Sequence, residues 1–283
     1  MCAILVLVIG VSAQQGREPS YTTVDFPGAA ATTLAGINDD GQIVGFYRDT
    51  AGKTHGFVRR GEMYTSIDYP GAAWTNARGI GPAGEVLGAY RMPGEPDFNQ
   101  HGYRFGRDGI FSKIDFPGHV STVPVRLLKD GTIVGCYHDA AGMDSMHGMA
   151  YVKGSFQGFD RAMTMHEGVT PDGKTFVGYM TEMADMRRNR GYVLEGANFA
   201  PFDVPESTST TAIDINAAGA IVGVFEAPAG KTHGFIRESG RYITLDVPAS
   251  TGTSAWSINS AGTIVGAFVD AGGATHGFVA TRK

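Results

Sequence analysis

Short, mostly apolar segments bounded by glycine-bearing turns recur six times along the chain. The segment GINDDGQIVGFY (36–47) returns as GIGPAGEVLGAY (79–90), and four further copies begin at Arg126, Gly168, Asp214 and Ser257. The glycine of the IVG-like core falls at positions 45, 88, 135, 178, 223 and 266, a period of 43 to 47 residues. Each unit predicts four strands, which we label A to D: TTLAGIN, QIVGFY, HGFVRR and MYTSID in the first unit. Four-stranded units of this length are typical of β-propellers.

The two ends of the repeat distinguish a closed ring from a solenoid. Solenoids need atypical capping repeats at both ends. Here the repeat begins with an isolated strand D, Tyr21 to Asp25, and finishes with strands A, B and C and no strand D. The first strand can therefore complete the last blade and cover its open sheet edge. We predict an all-β, six-bladed β-propeller with four antiparallel strands per blade, closed by the N-terminal strand.

An apolar run from Ala3 to Val11 precedes the repeats. It ends in Val11-Ser12-Ala13, a small-x-small sequence of the kind that signal peptidase cleaves, and it is too short to span a bilayer as a helix. We predict a cleaved signal peptide at 1–13, a short linker at 14–20 and one propeller domain at 21–283. The mature protein is then expected to be secreted or periplasmic, monomeric and not inserted in a membrane. Cys136 would be its single cysteine, so no internal disulfide can form.

Composition and charge exclude some functions. The 41 glycines fit many tight turns, because glycine adopts positive φ without steric cost. A formal net charge of −5 argues against nucleic acid as a partner, since nucleic-acid binding needs a basic stripe. The chain has no G-x-S-x-G elbow, no Walker loop and no H-E-x-x-H zinc motif.

Five histidines occupy one repeat position, at the start of strand C: His55, His101, His147, His233 and His276. A metal ring is one reading of this pattern. Structural pairing is the other, because a hairpin that pairs Arg60 with Met63 places His55 opposite Asp68 at the end of strand D. The same interval of 13 residues relates His147 to Asp160 and His233 to Asp246. His101 and Asp115 are 14 residues apart, which predicts a longer turn, and ring closure brings His276 to Asp25. The fourth unit has Arg190 before Asp203 instead, and arginine is no metal ligand, so we predict structural pairs.

Candidate functional residues are those that depart from the repeat. In a propeller the D–A and B–C loops share one face, here the upper face, and the A–B and C–D turns share the other, the lower face. We expect the site on the upper face, by analogy with other propellers. The ligand-binding candidates are Arg48, Arg91, Arg126, Trp74, His119, Glu182 and Glu226. The alternative explanation for each of these residues is structural, because strand ends and loops at the rim are often solvated positions without a function.

Two kinds of chemistry follow from these departures. For an enzyme, the arginines would hold an anionic group, with His138 or His166 as general base and Tyr137 as donor. Such a site suits a lyase or hydrolase that acts on an anionic saccharide, an ester or a lactone. Glu167 and Asp214 are candidate calcium ligands, so calcium is the one cofactor that the sequence suggests. The other hypothesis is a binding module for a glycan, a peptide or a cell-surface protein, and a purely structural coat role is the third.

The pattern GINDDGQIVGFY…HGF…YTSIDYPGA resembles the HAF family of bacterial extracellular repeat proteins, over residues 21 to 281. The layout is also similar to NHL-type propellers. The resemblance implies export and a repeat fold, but it brings no catalytic residues. We therefore favour a secreted or periplasmic propeller that binds a small-molecule, saccharide or surface-protein ligand on its upper face, with the enzyme as the alternative.

Overall fold

The computed structural model describes residues 19–139, 146–159, 161, 163–182 and 184–282. These residues form six antiparallel sheets and no helix. None of them belongs to a helix long and apolar enough to cross a bilayer. The predicted all-β, six-bladed propeller with four strands per blade is confirmed, whereas the predicted signal peptide lies outside the described residues.

The strands follow the predicted order A to D within each blade. The chain begins with β1 (Ser20–Thr23). Blade 1 contains β2 (Ala31–Ile37), β3 (Ile43–Arg48), β4 (Thr54–Arg60) and β5 (Met63–Ile67). Blade 2 contains β6 (Trp74–Thr75) and β7 (Gly79–Ile80), which together are its strand A, then β8 (Val86–Arg91), β9 (His101–Phe105) and β10 (Phe111–Ile114). Blade 3 contains β11 (Ser121–Leu127), β12 (Ile133–His138), β13 (Met146–Val152) and β14 (Ser155–Gly158).

The second half of the ring repeats this arrangement. Blade 4 contains β15 (Thr164–Val169), β16 (Thr175–Glu182), β17 (Asp185–Glu195) and β18 (Asn198–Phe202). Blade 5 contains β19 (Ser209–Ile215), β20 (Ile221–Glu226), β21 (Thr232–Glu238) and β22 (Arg241–Leu245). Blade 6 contains β23 (Gly252–Ile258), β24 (Ile264–Val269) and β25 (Thr275–Thr281), and its fourth strand is β1. Apolar clusters fill the space between adjacent blades, as where Leu34 and Phe57 of blade 1 meet Val265 of blade 6.

The N-terminal strand closes the ring as predicted. It pairs antiparallel with β25, from Ser20 opposite Thr281 to Thr23 opposite Phe278. The ladder continues into the following loop, where the N–H of Val24 donates to the carbonyl of Gly277 at 2.9 Å. The edge of blade 6 is therefore paired within the chain.

The glycine of the IVG-like core is required by close packing. A Cβ at Gly45 would lie 2.0 Å from the carbonyl oxygen of Thr33 on strand A and 3.0 Å from the ring of Phe57 on strand C. The corresponding Cβ at Gly266 would lie 2.0 Å from the Ser254 oxygen and 2.7 Å from the Phe278 ring. Each glycine thus makes room for the aromatic side chain of the HGF motif, which explains why the two motifs recur together.

Among the described residues, four of the five predicted histidine–aspartate pairs and the one arginine–aspartate pair are present. The imidazole Nδ1–H donates to an aspartate oxygen at 2.7 to 2.9 Å in the pairs His55–Asp68, His101–Asp115, His233–Asp246 and His276–Asp25. In blade 4, Arg190 Nε donates to Asp203 at 3.0 Å. The sixth pair, His147 with Asp160, lies partly outside the described residues. The pairing prediction is confirmed for the other five.

Most of these histidines also face a second carboxylate, from the B–C loop. His276 Nε2 lies 3.4 Å from Asp270, and His101 Nε2 lies 3.0 Å from Glu95. The hydrogen bond to Asp25 is the main reason that the pKa of His276 is raised. Burial lowers the pKa of His101, but its hydrogen bonds to two carboxylates outweigh that effect and raise it overall. Folding therefore favours the protonated imidazoles.

This arrangement predicts a pH-dependent stability. A histidine with a raised folded-state pKa stabilises the fold fully below its unfolded-state pKa of about 6.5, and the stabilisation is lost as pH rises through the folded pKa. We expect the free energy of unfolding to fall between pH 6 and 8.5, and to fall less in His276→Gln. Urea unfolding of both proteins across this range measures the difference. Equal slopes would contradict a charged His276 in the folded state.

Candidate functional site

An ion pair crosses the central channel between blades 3 and 5. Arg126 Nε–H donates to Asp214 Oδ1 at 2.9 Å. Each of the two residues is the last but one of its strand A, which lines the channel and leads into the A–B turn. The second oxygen of Asp214 accepts from the Ser257 hydroxyl at 2.6 Å and from the N–H of Ile258 at 3.0 Å. The side chain of Asp214 is 6% exposed. This carboxylate is therefore satisfied within the protein.

A β-bulge in strand A explains why the guanidinium of Arg126 contacts backbone carbonyls from three blades. Register shifts leave one unpaired residue in the strands of blades 1, 3, 4, 5 and 6. Arg126 donates from Nη1 to the carbonyl of the bulged Val125 at 2.9 Å. Its Nη2 reaches the carbonyls of the bulged Ile213 and Trp256 at 3.5 and 3.4 Å. The arginine thus collects carbonyl groups that the bulges turn towards the channel.

A second ion pair lies nearer the upper face, one residue earlier in strand A. Arg78 Nη2 of blade 2 contacts Glu167 of blade 4 at 3.0 Å. The guanidinium carbon of Arg78 also lies 5.1 Å from the ring centre of Trp256 in blade 6, a cation–π distance. Two layers of polar side chains thus cross the channel and separate the upper mouth from the lower one.

A groove of about 380 Å³ lies on the upper face over blade 6, next to Trp256. We call it the blade-6 groove. Trp256 and Phe268 supply its aromatic lining. Its other lining residues are small or carry hydroxyl groups: Thr33, Gly230, Thr232, Thr251, Gly252, Ser254, Ala267, Val269 and Thr275. Among the residues that the structure describes, no charged one lines this groove.

A cavity of about 340 Å³ opens on the lower face, around the axis. We call it the lower cavity. Its floor includes Arg126, Asp214 and Ser257, and its wall is an aliphatic collar with one side chain from every blade: Ile37, Ile80, Leu127, Val169, Ile215 and Ile258. The upper and lower faces therefore offer two chemically different concave surfaces.

Solved structures share this fold at low sequence identity. The β-propeller domain of the Trilobed protease from Pyrococcus furiosus is 11% identical, with a TM-score of 0.57 over 92% of this chain and 95% of that chain. A putative gluconolactonase is 11% identical, with a TM-score of 0.55 over 93% and 91%. The lectin of Aleuria aurantia, solved with Fucα1-6GlcNAc, is 11% identical, with a TM-score of 0.52 over 91% and 93%. At these identities the likeness shows a β-propeller fold alone.

No family model matches the chain, and no curated protein matches it. Membership of the HAF family therefore stays a prediction from the repeat motifs. The site has to be argued from this chain's own residues.

The predicted calcium ligands are not brought together. Glu167 belongs to the upper ion pair with Arg78, and Asp214 belongs to the lower one with Arg126. Over the part of the chain that the structure describes, no group of three or more His, Cys, Asp or Glu side chains is placed to hold a metal ion. The carboxylates of the channel neutralise arginines.

His166, predicted as a general base, lies in the core. It takes the place in blade 4 that Leu34 takes in blade 1, and it packs against Gly148, where a Cβ would lie 2.6 Å from the imidazole. Tyr192 donates its hydroxyl proton to the carbonyl of Met165 at 2.9 Å, so His166 Nδ1–H donates to the Tyr192 oxygen. Burial lowers the pKa of His166 to about 4. This neutral, 3% exposed residue has no access to an upper-face pocket.

Blade 3 carries the other predicted catalytic residues on its upper rim. His138 is half-buried at the end of β12, opposite Ser121. The ring of Tyr137 is buried and stacks on His147 with centroids 5.1 Å apart, as Tyr47 stacks on His55 in blade 1. Tyr137 is therefore the repeated aromatic of strand B, which supports the histidine.

His119 is the additional histidine of blade 3. Its Nδ1 lies 2.7 Å from Asp139, which also contacts His147 Nε2 at 3.1 Å, and its ring packs 4.4 Å from Tyr137. The aspartate thus joins a loop histidine to a strand histidine. This cluster holds the D–A loop on strand C.

The remaining candidates line the upper rim but do not converge. Arg48, Arg91 and Glu226 occupy the same repeat position at the end of strand B, in three different blades, and Trp74 lies opposite Arg91. Arg91 is paired with Asp97 at 2.5 Å. The three arginines predicted to act together are separated, because Arg126 lines the lower cavity.

Glu182, predicted as a ligand-binding residue, lies at the end of β16. Strands β16 and β17 form a long hairpin here, with Glu182 opposite Asp185. The carboxylate lies 3.7 Å from Arg188 and 3.9 Å from Arg190. Glu182 therefore supplies blade 4 with the second carboxylate that the B–C loops give to most of the repeated histidines.

Proposed function

We propose that this protein is a secreted or periplasmic binding propeller of the HAF type, whose blade-6 groove binds a neutral saccharide on the upper face. The observation that carries the proposal is the lining of the groove, which combines the indole of Trp256 with hydroxyl groups of Thr232, Thr251 and Thr275. A sugar ring presents an apolar face and a rim of hydroxyl groups, so it needs this combination.

The two kinds of lining residue have different roles. The Trp256 indole offers a large, rigid apolar surface for one face of a sugar ring, and aromatic side chains dominate the energetics of such contacts. The hydroxyl of Thr251 donates its proton to the carbonyls of Val269 and Asp270 at 3.2 Å, so it offers a ligand an acceptor. The hydroxyls of Thr232 and Thr275 can each donate one hydrogen bond and accept others, as sugar hydroxyls do. A pocket with a mainly apolar surface and a few placed polar groups is typical of small-ligand sites.

The absence of charge from the groove lining favours a neutral sugar over a uronic acid. An anionic saccharide would need a cation, and the guanidinium of Arg78 beside Trp256 is neutralised by Glu167. The enzyme alternative receives less support, because its parts are separated: His166 is buried, and Arg126 lines the other face. The lectin of Aleuria aurantia, solved with Fucα1-6GlcNAc, is a propeller of comparable size, which makes a saccharide ligand compatible with this fold.

A glycan microarray followed by calorimetric titration tests the proposal. We expect binding to one or more neutral oligosaccharides. Thr232→Val should weaken it about tenfold, since the loss of one hydrogen bond of about 1.4 kcal/mol changes the affinity by that factor. Trp256→Ala should weaken it further, because the apolar contact with the ring is lost.

Thr54→Val is the matched control, because Thr54 begins strand C of blade 1 as Thr232 does in blade 5. It should leave binding unchanged. Binding confined to anionic glycans, or equal losses in Thr54→Val and Thr232→Val, would contradict a neutral-saccharide site over blade 6.

A further inference from the structure

The lower cavity is built by departures from the repeat that the saccharide site does not use. The position before the collar residue is glycine in blades 1, 2 and 4, and it is Arg126, Asp214 and Ser257 in blades 3, 5 and 6. A Cβ at Gly168 would lie 2.8 Å from Cα of Asp214, so a larger residue at position 168 would crowd the ion pair between Arg126 and Asp214. The glycines and the polar side chains together form a closed polar floor beneath an aliphatic collar.

The dimensions of the lower cavity fit a compact molecule. Its volume of about 340 Å³ lies within the range of about 300–1,000 Å³ that is usual for small-molecule sites. Blade 3 makes one side more apolar, because Leu128 stands where blades 1, 5 and 6 have Asn38, Asn216 and Asn259. The collar and Leu128 thus select a molecule with an aliphatic body.

Arg126 can receive one hydrogen-bond acceptor at the floor. A guanidinium has five N–H donors. The contacts of Nη2 with the carbonyls of Ile213 and Trp256 are long, at 3.5 and 3.4 Å, and long contacts are weak. The side chain is 14% exposed. A ligand oxygen that binds the guanidinium therefore competes only with weak contacts and need not break the 2.9 Å contact between Nε and Asp214.

The charges around the cavity decide between a neutral and an anionic acceptor. Two cations, Arg126 and Lys129, line it together with three carboxylates, Asp39, Asp40 and Asp214. The excess negative charge repels a carboxylate ligand. We propose that the lower cavity binds a compact, neutral, mainly aliphatic molecule that carries a carbonyl group, with the carbonyl oxygen directed at Arg126.

Two probes test the site: camphor, a bicyclic aliphatic ketone, and cyclohexanecarboxylate, an aliphatic anion. Calorimetric titration of the full chain should show saturable binding of camphor at one site, and at least fivefold weaker binding of the carboxylate. Val169→Phe, which fills the collar, should weaken camphor binding at least tenfold. Ile110→Phe, at an exposed position outside the cavity on the same face, should leave it unchanged.

A second variant keeps the test decisive if Val169→Phe does not fold. Asp40 is exposed at the rim, so Asp40→Lys should preserve the collar and reverse the charge preference. We expect it to raise the affinity for cyclohexanecarboxylate relative to camphor at least fivefold. The proposal is overturned if camphor does not bind, if the wild type prefers the carboxylate, if a folded Val169→Phe still binds camphor normally, or if Asp40→Lys leaves the preference unchanged.

Discussion

A variant that starts at residue 26, and so lacks β1 and Asp25, is expected to aggregate. Without β1, the N–H and C=O groups of β25 that pair with Ser20 to Thr23 would face solvent. An unpaired edge strand is a template for other chains. The variant would also lose the hydrogen bond from His276 to Asp25, at 2.7 Å, and the packing of Tyr21 on Phe278. Size-exclusion chromatography with light scattering measures the outcome.

A variant that starts at residue 19 is the matched control, because it keeps all of β1. This variant should remain soluble and monodisperse. A synthetic peptide of residues 19–27, added during refolding of the shorter variant, should restore a soluble species by taking the place of the strand. A soluble, monomeric shorter variant that unfolds at the wild-type temperature would contradict ring closure by β1.

Asp214→Ala is expected to cost about 3–5 kcal/mol of stability, because breaking a buried ion pair leaves an uncompensated charge. The carboxylate accepts from Arg126, from the Ser257 hydroxyl and from the backbone N–H groups of Ile215 and Ile258. Its removal would leave a guanidinium in the channel without its counter-ion. Urea unfolding should show a lower midpoint with an unchanged slope.

Two comparison variants separate the loss of the pair from other effects. Replacing both partners, as in Arg126→Met with Asp214→Leu, should cost less than Asp214→Ala alone, since no buried charge is left unpaired. Glu62→Ala removes the partner of Arg59, but the Glu62 side chain is 91% exposed, so this change should cost at most about 1 kcal/mol. A loss for Asp214→Ala no greater than that for Glu62→Ala would contradict the structural role of the pair.

Ladder geometry explains which parts of the fold could be predicted from the sequence. Two paired antiparallel strands keep the sum of opposed residue numbers constant, so the pairing of Arg60 with Met63 places His55 opposite Asp68. The same reasoning led from the isolated first strand to the closure of blade 6. These inferences depend only on local hairpins and on the count of strands, which the repeats display directly.

The arrangement inside the channel could be predicted only in part. Arg126 and Asp214 were recognisable as departures from the repeat, but we expected the site on the upper face, whereas their position just before the A–B turn places both residues on the lower cavity. Their contact joins residues 88 positions apart in non-adjacent blades, and no ladder register relates such blades. His166 aligns with Leu34 of blade 1, so an alignment of the six units identifies it as a core position.

The blade-6 groove could not be read from a single unit. Thr33, Thr232 and Trp256 come from blades 1, 5 and 6, and each has an ordinary structural reading in its own repeat. Only the ring brings them to one surface. The threonines that begin strand C are the signal that was missed, because Thr232 and Thr275 both precede HGF motifs on the upper face.

Tryptophan fluorescence tests the central claim, saccharide binding at Trp256, most directly. The chain has two tryptophans, so Trp74→Phe leaves Trp256 as the only indole reporter. A titration of this variant with the best neutral oligosaccharide from the microarray should give a saturable change in emission, with the affinity that calorimetry measures, and about tenfold weaker after Thr232→Val. An emission that stays constant while calorimetry records binding would place the ligand elsewhere and contradict the proposed site.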